Sequence, residues 1–261
     1  MRRFDGEVAV VSGASSGLGR RLAVELASRG ATVVGLARRK QLLDDLATEL
    51  QARTSSSRTI ACDVGDADAY RDALAQIESD HGKLDILIAA AATEAETRVP
   101  GATLEDFRST MDVNFFGVVA GTLAVVPGMV ARRHGMIVNV SSDSARAPAP
   151  GGAAYAASKA AVSAFSEAVA MNVIDSGVRV HVLYPGWVPT PMGLAAVERG
   201  MPLPPKPVRR TEDQIAELVC ERMGSDAIEL NASRLPVMAP LARAFFPKAY
   251  RKSVTKNSDA S

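Results

Sequence analysis

The sequence predicts a three-layer α/β sandwich with a doubly wound, seven-stranded, mainly parallel sheet, in one domain over residues 1–261. Short β-branched runs alternate with longer helical patterns through the first 190 residues, which is typical of strand–helix–strand crossover units. The strand runs are apolar enough to be buried on both faces, as parallel strands covered by helices are. We predict strands at 7–12, 31–37, 58–62, 84–89, 136–141 and 178–184, with a weaker seventh at 227–230.

Helical spacing of apolar residues fills the segments between these strands. Thr103 followed by Asp106 indicates a helix start, because a Thr N-cap and an acidic third residue satisfy free backbone N–H groups. Ligands bind outside the carboxyl ends of the strands in a doubly wound sheet, so we expect any site at that edge. The predicted helices are 17–29, 40–52, 66–80, 103–132, 152–175 and 211–223.

The composition changes after the sixth strand. Six prolines crowd residues 189–207, so we predict an irregular loop over the site at 190–210. In the extension at 235–261, apolar Leu241 and Phe245 alternate with basic Arg243 and Lys248. This segment is open to interpretation as a lid on a neighbouring subunit, an interface helix or a membrane-surface contact; we favour packing against the domain, with the last ten residues disordered.

Composition and charge exclude several function classes. Thirty basic and twenty-nine acidic residues leave a formal charge of +1, so the broad basic field of a nucleic-acid binder is missing and we expect no such partner. The two cysteines, Cys62 and Cys220, form no C-x-x-C pair, and neither a disulfide framework nor a metal site is predicted.

The sequence predicts neither a secretory signal nor a membrane-spanning helix. Its N-terminus lacks the apolar stretch and cleavage site of a secretory signal, so we expect a cytoplasmic location. Residues 113–131 are uncharged and approach the length of a membrane helix. They include Asn114 and Pro127, which favours a helix buried in a core or a subunit interface, and we predict no integral membrane segment.

A glycine-rich turn follows the first predicted strand and opens the first predicted helix, over residues 12–19. Such a turn presents free N–H groups at a helix N-terminus, which suits a pyrophosphate. Gly13 permits the tight turn, Gly17 lets the ligand approach the backbone, and Gly19 allows close packing of helix on sheet. The turn therefore predicts a dinucleotide-binding, Rossmann-type site.

The same residues match the G-x-S-x-G pattern of a hydrolase nucleophile elbow, with Ser15 as the nucleophile. A serine hydrolase also needs an acid and then a histidine on a loop after a late strand. The three histidines are His81, His134 and His181. None clearly lies on such a loop, and His181 falls within a predicted strand, so we interpret all three as structural or surface residues.

The second predicted strand ends in Ala37, Arg38 and Arg39. A carboxylate at this point of a dinucleotide fold binds the ribose 2′-hydroxyl of NAD, whereas an arginine clamps the 2′-phosphate of NADP. We therefore expect NADP(H) to be preferred, with NAD(H) possible. Asp63, just past the third strand, is placed to bind the adenine amino group.

Tyr155 and Lys159 are four residues apart in a helical pattern, and Ser142 ends the fifth strand. Residues four apart share one helix face, so the three can converge at the carboxyl edge of the sheet. Hydride delivery to a carbonyl carbon builds negative charge on oxygen, which a phenol can protonate and a hydroxyl can stabilise. An ammonium and an oxidised nicotinamide would favour the phenolate of Tyr155, whose ordinary pKa is about 10.

With these motifs together, residues 6 to about 192 resemble the classical short-chain dehydrogenase/reductase family. The matching pieces are the turn 12–19, Asp63-Val64, Asn114, Ser142, Tyr155, Lys159 and the stretch 185–190. The resemblance implies a homodimer or homotetramer built on the helices near 103–132 and 152–175. It also implies that Asn114 holds a water behind Lys159, and that Val188 and Thr190 bind the nicotinamide carboxamide.

The resemblance and the turn together give two sets of expected site residues. The expected catalytic residues are Ser142, Tyr155, Lys159 and Asn114. The expected cofactor-binding residues are Gly13, Ser15, Ser16, Gly17, Leu18, Gly19, Arg38, Arg39, Asp63, Val64, Ala90, Tyr155, Lys159, Pro185, Gly186, Val188 and Thr190.

Two departures from the family pattern stand out. Ser12 replaces the usual Thr and keeps the hydroxyl. Ala89 to Ala92 replace the usual Asn-Asn-Ala-Gly, so an amide that braces the sheet is lost, and we expect consequences for cofactor affinity and stability rather than for reaction type.

Apolar residues of the 190–210 loop predict a hydrophobic alcohol or ketone as the small-molecule substrate. They are Met192, Leu194, Val197, Met201 and Leu203. The alternative to an enzyme is a protein that binds NADP as a sensor or scaffold without turnover. The presence of Ser142, Tyr155 and Lys159 argues against it, because a pure binder needs no phenol.

Overall fold

A computed structural model of the chain describes residues 1–95 and 98–255. Within them, seven strands form one sheet in the order β3-β2-β1-β4-β5-β6-β7, and every neighbouring pair is parallel. The predicted doubly wound α/β architecture is confirmed, with a sheet that is parallel throughout. The strands are β1 Val8–Ser12, β2 Thr32–Ala37, β3 Arg58–Ala61, β4 Ile86–Ala89, β5 Gly135–Val140, β6 Val178–Tyr184 and β7 Glu229–Asn231.

Helices cover both faces of this sheet. Leu22 and Leu26 of the first helix pack in one buried cluster, while Leu74 and Met129 belong to the cluster on the other face. The helices are α1 Gly17–Ser28, α2 Lys40–Gln51, α3 Ala67–His81, α4 Leu104–Met111, α5 Gly117–Arg132, α6 Ala153–Asn172, α7 Pro191–Glu198, α8 Glu212–Arg222, α9 Leu235–Phe245 and α10 Pro247–Thr255.

The strand order reverses between β1 and β4, which are neighbours although two strands separate them in the chain. Loops leaving their carboxyl ends run to opposite sides and open a crevice, the usual ligand site of such a sheet. The glycine turn after β1 and the alanine segment after β4 both lie at this edge of the sheet and contact each other.

The helical pattern predicted at 103–132 contains a π-helical turn. α4 begins with the predicted cap, in which Thr103 and Asp106 satisfy each other's backbone N–H groups. A π turn at Asp112–Phe116 then separates α4 from α5. The stretch Leu104–Arg132 is long and apolar enough to cross a membrane by length and composition, with a mean hydropathy of 1.8 in its most apolar 18-residue window. In this fold, however, Val125 and Met129 are buried within the core.

The prolines predict an irregular loop at 190–210, and this prediction is wrong for part of the stretch. A helix, α7, occupies Pro191–Glu198. Thr190 caps this helix by accepting a hydrogen bond from the Gly193 N–H at 3.2 Å. Proline is tolerated at the first helical position, where its missing N–H would have no partner in any case. Pro191 therefore favours the start of a helix here.

The pattern at 235–250 forms two helices, α9 and α10, separated at Phe246. Pro247 begins the second because it cannot continue the first. α10 extends to Thr255, so the first part of the tail predicted to be disordered is helical. The remainder, residues 256–261, lies outside the described residues.

Candidate active site

Two glycines of the turn between β1 and α1, Gly13 and Gly19, are packed so tightly that a side chain would not fit at either position. Gly13 has a φ of +72°, and a Cβ there would lie 2.7 Å from the backbone of Ala91. A Cβ on Gly19 would overlap the carbonyl oxygen of Gly13. Ser16 makes no side-chain capping bond to α1, so the first N–H groups of that helix remain available to an anion.

Two arginines stand at the carboxyl end of β2. The Arg39 guanidinium turns back into the glycine loop, where Nη2 donates to the hydroxyl oxygens of Ser15 at 2.8 Å and Ser16 at 2.6 Å. Arg38 points to solvent and lies 3.6 Å from Asp63, with 63% of its side chain exposed. The loop that the sequence predicted for phosphate binding therefore has a cation at its rim.

The segment after β4 is where the sequence departs from the family pattern. Ser12 bridges it to β1, because its hydroxyl accepts from the Ala91 N–H at 3.4 Å and lies 3.5 Å from the Ile88 carbonyl oxygen. The backbone at Ala90 and Ala91 closes against Gly13. The serine hydroxyl thus supplies one brace in a segment that lacks the usual amide.

Ser142, Tyr155 and Lys159 come together beyond the carboxyl end of β5. Ser142 begins a 3₁₀ turn at Asp143–Ala145, where its hydroxyl bonds with the Ser144 hydroxyl at 2.7 Å, and it lies near enough to Tyr155 to favour the phenolate form of that side chain. Lys159 lies one turn further along α6, with Nζ donating to the Val140 carbonyl oxygen at 2.8 Å and standing 5.7 Å from the Tyr155 ring centroid. The predicted convergence is present.

Burial is the main cause of the shifted pKa values of Tyr155 and Lys159. Burial raises the pKa of Tyr155 to about 12, although the hydrogen bond from Ser142 opposes the rise. Burial also lowers the pKa of Lys159 to about 8. The Tyr155 pKa is therefore higher than the sequence predicts, because burial disfavours the charged phenolate. The phenol is protonated at neutral pH.

Asn114 is fully buried in the π turn. Its amide pairs with the backbone of Thr93, accepting from the N–H at 2.7 Å and donating to the carbonyl oxygen at 2.9 Å. The amide also donates to the Ser158 hydroxyl at 3.0 Å. Asn114 thus ties the segment after β4 to α6, next to Lys159, while its expected water remains a prediction.

The remaining expected cofactor residues surround this centre. Asp63 follows β3 and accepts from the Gly65 N–H at 2.9 Å, and Val64 is buried against Gly117. The stretch 185–190 follows β6, with Val188 buried and Gly186 at a φ of +72°. All of these segments leave the sheet at its carboxyl edge.

Asp143 was missed by sequence reasoning. It is buried, and its two oxygens accept from the Gly186 N–H at 3.3 Å and the Ser233 hydroxyl at 3.0 Å. Burial raises the pKa of this carboxyl above its usual range. The residue joins the turn after β5 to the turn after β6, and its only signal in the sequence is an acid directly after Ser142.

Glu94 and Arg199 are a second pair that the sequence did not indicate. Arg199, at the end of α7, lies 3.1 Å from the Glu94 carboxylate in the segment after β4. The charge of Glu94 is among the causes that raise the pKa of Tyr155. This ion pair therefore joins the end of α7 to the segment after β4.

The described contacts do not support a serine hydrolase. The partner of Ser15 is Arg39. His181 bonds with the Ala227 carbonyl oxygen at 2.6 Å and accepts from the Gly224 N–H at 2.9 Å, and His134 pairs with Glu7 at 3.2 Å. Both histidines therefore have structural partners away from the glycine turn.

Comparisons with known proteins agree with this site. The family model for short chain dehydrogenase matches residues 7–199. An uncharacterized oxidoreductase of Myxococcus xanthus is 38% identical over 188 residues, which are 72% of this chain and 74% of the relative. The matched segment covers between 60% and 64% of three further curated relatives, which are longer proteins.

Solved structures share the fold. A variant of actinorhodin polyketide ketoreductase with NADPH superposes with a TM-score of 0.80 at 26% identity, covering 88% of this chain and 97% of that one. A short chain dehydrogenase from Mycobacterium paratuberculosis bound to NAD has a TM-score of 0.76 at 27% identity, covering 88% and 96%. The fold and the site thus define an NAD(P)-dependent oxidoreductase. The chain belongs to the short-chain dehydrogenase/reductase family.

Proposed function

We propose that this protein transfers a hydride between NADP(H) and the carbonyl or secondary alcohol carbon of a hydrophobic substrate, with Tyr155 as general acid and base. The observation that carries the proposal is the meeting of Ser142, Tyr155 and Lys159 at the carboxyl edge of the sheet. The glycine turn suits the pyrophosphate of a nicotinamide dinucleotide, because Ser16 makes no side-chain capping bond to α1 and leaves the first N–H groups of that helix available.

The three side chains divide the work of moving a proton. When bound in the crevice, the cofactor supplies or accepts the hydride. In reduction, the Tyr155 hydroxyl donates its proton to the substrate oxygen, and the Ser142 hydroxyl donates a hydrogen bond to the same oxygen. Lys159 stabilises the phenolate that remains, since its ammonium lies beside the tyrosine ring. In oxidation, the phenolate takes the proton back.

The activity should follow the charge of Lys159. A lysine with a pKa of about 8 is cationic below that pH and neutral above it. We therefore expect kcat/KM for ketone reduction to fall as the pH rises through about 8, because a neutral amine no longer stabilises the phenolate. Steady-state rates with saturating NADPH at pH 6–10 would measure this fall. In Lys159→Arg the guanidinium stays charged, so the fall should move to higher pH; an unchanged profile would contradict the assignment.

The preference for NADP(H) is proposed from the end of β2. Arg38 is exposed beside the adenine-side residue Asp63, and Arg39 lies over Ser15 and Ser16. Ala37 brings no carboxylate that would favour the 2′-hydroxyl of NAD. The two arginines are therefore suited to clamp a 2′-phosphate.

Neutralising both arginines tests this preference. In the double variant Arg38→Gln/Arg39→Gln, we expect the ratio of kcat/KM for NADPH over NADH to fall by about 100-fold, because charge-assisted hydrogen bonds contribute about 1.5–3 kcal/mol. Arg53→Gln, which removes a cation at the far end of α2, is the matched control and should leave the ratio unchanged. Parent protein that favours NADH would overturn the proposal.

The hydrophobic substrate is proposed from the loop between β6 and α8. Leu194 and Leu203 are each 47% exposed, and Met192, Val197 and Met201 are partly exposed. These side chains offer an apolar surface to a ligand, as substrate pockets typically do. The Glu94–Arg199 pair supports the placement of this loop over the site.

The alternative of a sensor or scaffold is separated from an enzyme by one experiment. Quenching of the protein's fluorescence by NADPH, with no oxidation of the cofactor across a panel of ketones, would favour it.

A homodimer or homotetramer is proposed from the faces of α5 and α6 that the domain leaves uncovered. Leu123 of α5 is 61% exposed and Met171 of α6 is 59% exposed, as is Ile174 in the turn after α6. Apolar helix faces of this kind are typical of subunit contacts.

A further inference from the structure

The outward face of α9 is apolar. Val237, Met238, Leu241 and Phe245 are 48%, 54%, 48% and 74% exposed, and their spacing places them along one side of the helix. The opposite side rests on the domain through Pro236 and Ala239, which are buried. A helix on the surface of a globular protein ordinarily turns polar residues outward, whereas α9 has apolar residues on both its inward and its outward side.

The charged side chains of the segment 231–255 itself all have the same sign. Residues 231–255 contain no Asp or Glu, whereas the chain as a whole is nearly balanced with 30 basic and 29 acidic residues. Arg243, Lys248 and Lys252 are exposed, and no carboxylate of the described residues pairs with them. The basic residues of the segment are Arg234, Arg243, Lys248, Arg251 and Lys252.

We propose that α9 and α10, the C-terminal helix pair, dock on the surface of a lipid bilayer that contains anionic phospholipids. Phe245 and Phe246, which are 74% and 68% exposed, would enter the boundary between headgroups and acyl chains. The lysines and arginines would pair with lipid phosphates. Basic residues beside exposed aromatic and aliphatic side chains are what such interfacial helices require.

Charge decides between a bilayer and a second copy of the chain. A twofold symmetric contact places the same patch against itself, so Arg243, Lys248 and Lys252 would face their own copies, and no carboxylate of the described residues pairs with them. An anionic bilayer complements both the charge and the apolar row. The proposal does not rest on the hydride-transfer function.

The helix pair is fixed to the catalytic turn. Arg146 lies 3.5 Å from the Pro236 carbonyl oxygen at the start of α9, and Ser233, just before the helix, bonds to Asp143. Docking of α9 would therefore hold the turn that carries Ser142 in a set position relative to the bilayer.

Vesicle sedimentation of the full chain tests the proposal. We expect binding to vesicles of phosphatidylcholine with about one third phosphatidylglycerol, and a loss of binding in high salt, because screening weakens surface charge pairing. Pure phosphatidylcholine vesicles should bind at least tenfold more weakly. The triple variant Arg243→Gln/Lys248→Gln/Lys252→Gln should weaken binding to the anionic vesicles by about 100-fold.

An apolar variant and a matched control complete the test. Leu241→Ser/Phe245→Ser should weaken binding by at least tenfold, whereas Leu104→Ser, which alters a 64% exposed leucine on α4, should bind like the parent. Thermal melting confirms that each variant is folded. Absence of binding by the parent, or equal binding to neutral vesicles, would overturn the proposal. So would dissociation of an oligomer in the α9 variant with vesicle binding unchanged, which would show that a second copy covers this face.

Discussion

Tyr155→Phe is expected to lower kcat/KM for a ketone substrate by about 10³-fold while NADPH binding is retained. The substitution removes one oxygen atom from a buried side chain that lies beside Ser142. In the proposed mechanism the phenol protonates the developing alkoxide, so its loss should remove general acid catalysis while leaving the glycine turn and the Arg39 contacts in place. Steady-state kinetics with a ketone panel, together with fluorescence titration of NADPH, would measure both quantities.

Tyr184→Phe is the matched control, since it deletes the same atom from another buried tyrosine at the end of β6. We expect that variant to keep kcat/KM within about threefold of the parent. If Tyr155→Phe were as active as the parent, the phenol would have no part in the mechanism. If it lost NADPH binding as well, Tyr155 would be acting through the cofactor site rather than through a proton.

Gly13→Ala is expected to damage both stability and cofactor binding. Its φ of +72° is unfavourable for alanine, and the new Cβ would lie 2.7 Å from the Ala91 backbone. We expect the free energy of unfolding to fall by about 2–5 kcal/mol from the two effects together. The affinity for NADPH should fall at least tenfold, because the turn must shift away from the segment after β4 to relieve the contact. Urea unfolding and NADPH titration would measure the two losses.

Gly6→Ala separates strain from collision. Gly6 has a similar φ of +78°, but a Cβ there would meet no atom within 4 Å. We expect this variant to lose only the cost of the left-handed backbone, about 1–2 kcal/mol, and to bind NADPH normally. Equal losses in the two variants would mean that the contact between the turn and Ala91 contributes nothing.

Local patterns predicted most of the architecture. All seven predicted strands begin and end within two residues of the observed ones. The five inner strands are mainly apolar because they are buried on both faces, whereas β3 and β7 at the sheet edges are partly exposed. The sequence also predicts the glycine turn. A Cβ at Gly13, Gly17 or Gly19 would make a close contact, which explains the spacing of these glycines. The four-residue spacing of Tyr155 and Lys159 was enough to place both on one face of α6.

Features that depend on distant partners were not visible. The joining of Asp143 to Gly186 and Ser233 spans 43 and 90 residues, and no periodicity records such a contact. The sequence does not predict α7, because prolines ordinarily interrupt a helix. Pro191 lies at the first helical position, where a proline is tolerated. The raised pKa of Tyr155 depends on burial, which is a property of the folded chain and not of the motif.

The hydrogen bonds of Asp143 connect three segments of the chain: the turn after β5, the turn after β6 and the residues just before α9. Ser142 precedes Asp143, Gly186 belongs to the turn after β6, and Ser233 is 90 residues downstream. An amino-acid change near Ser233 would therefore reset the alignment of the reacting groups without touching substrate or cofactor. Divergence in the tail of the chain gives evolution a means to tune turnover while the chemical motif stays constant.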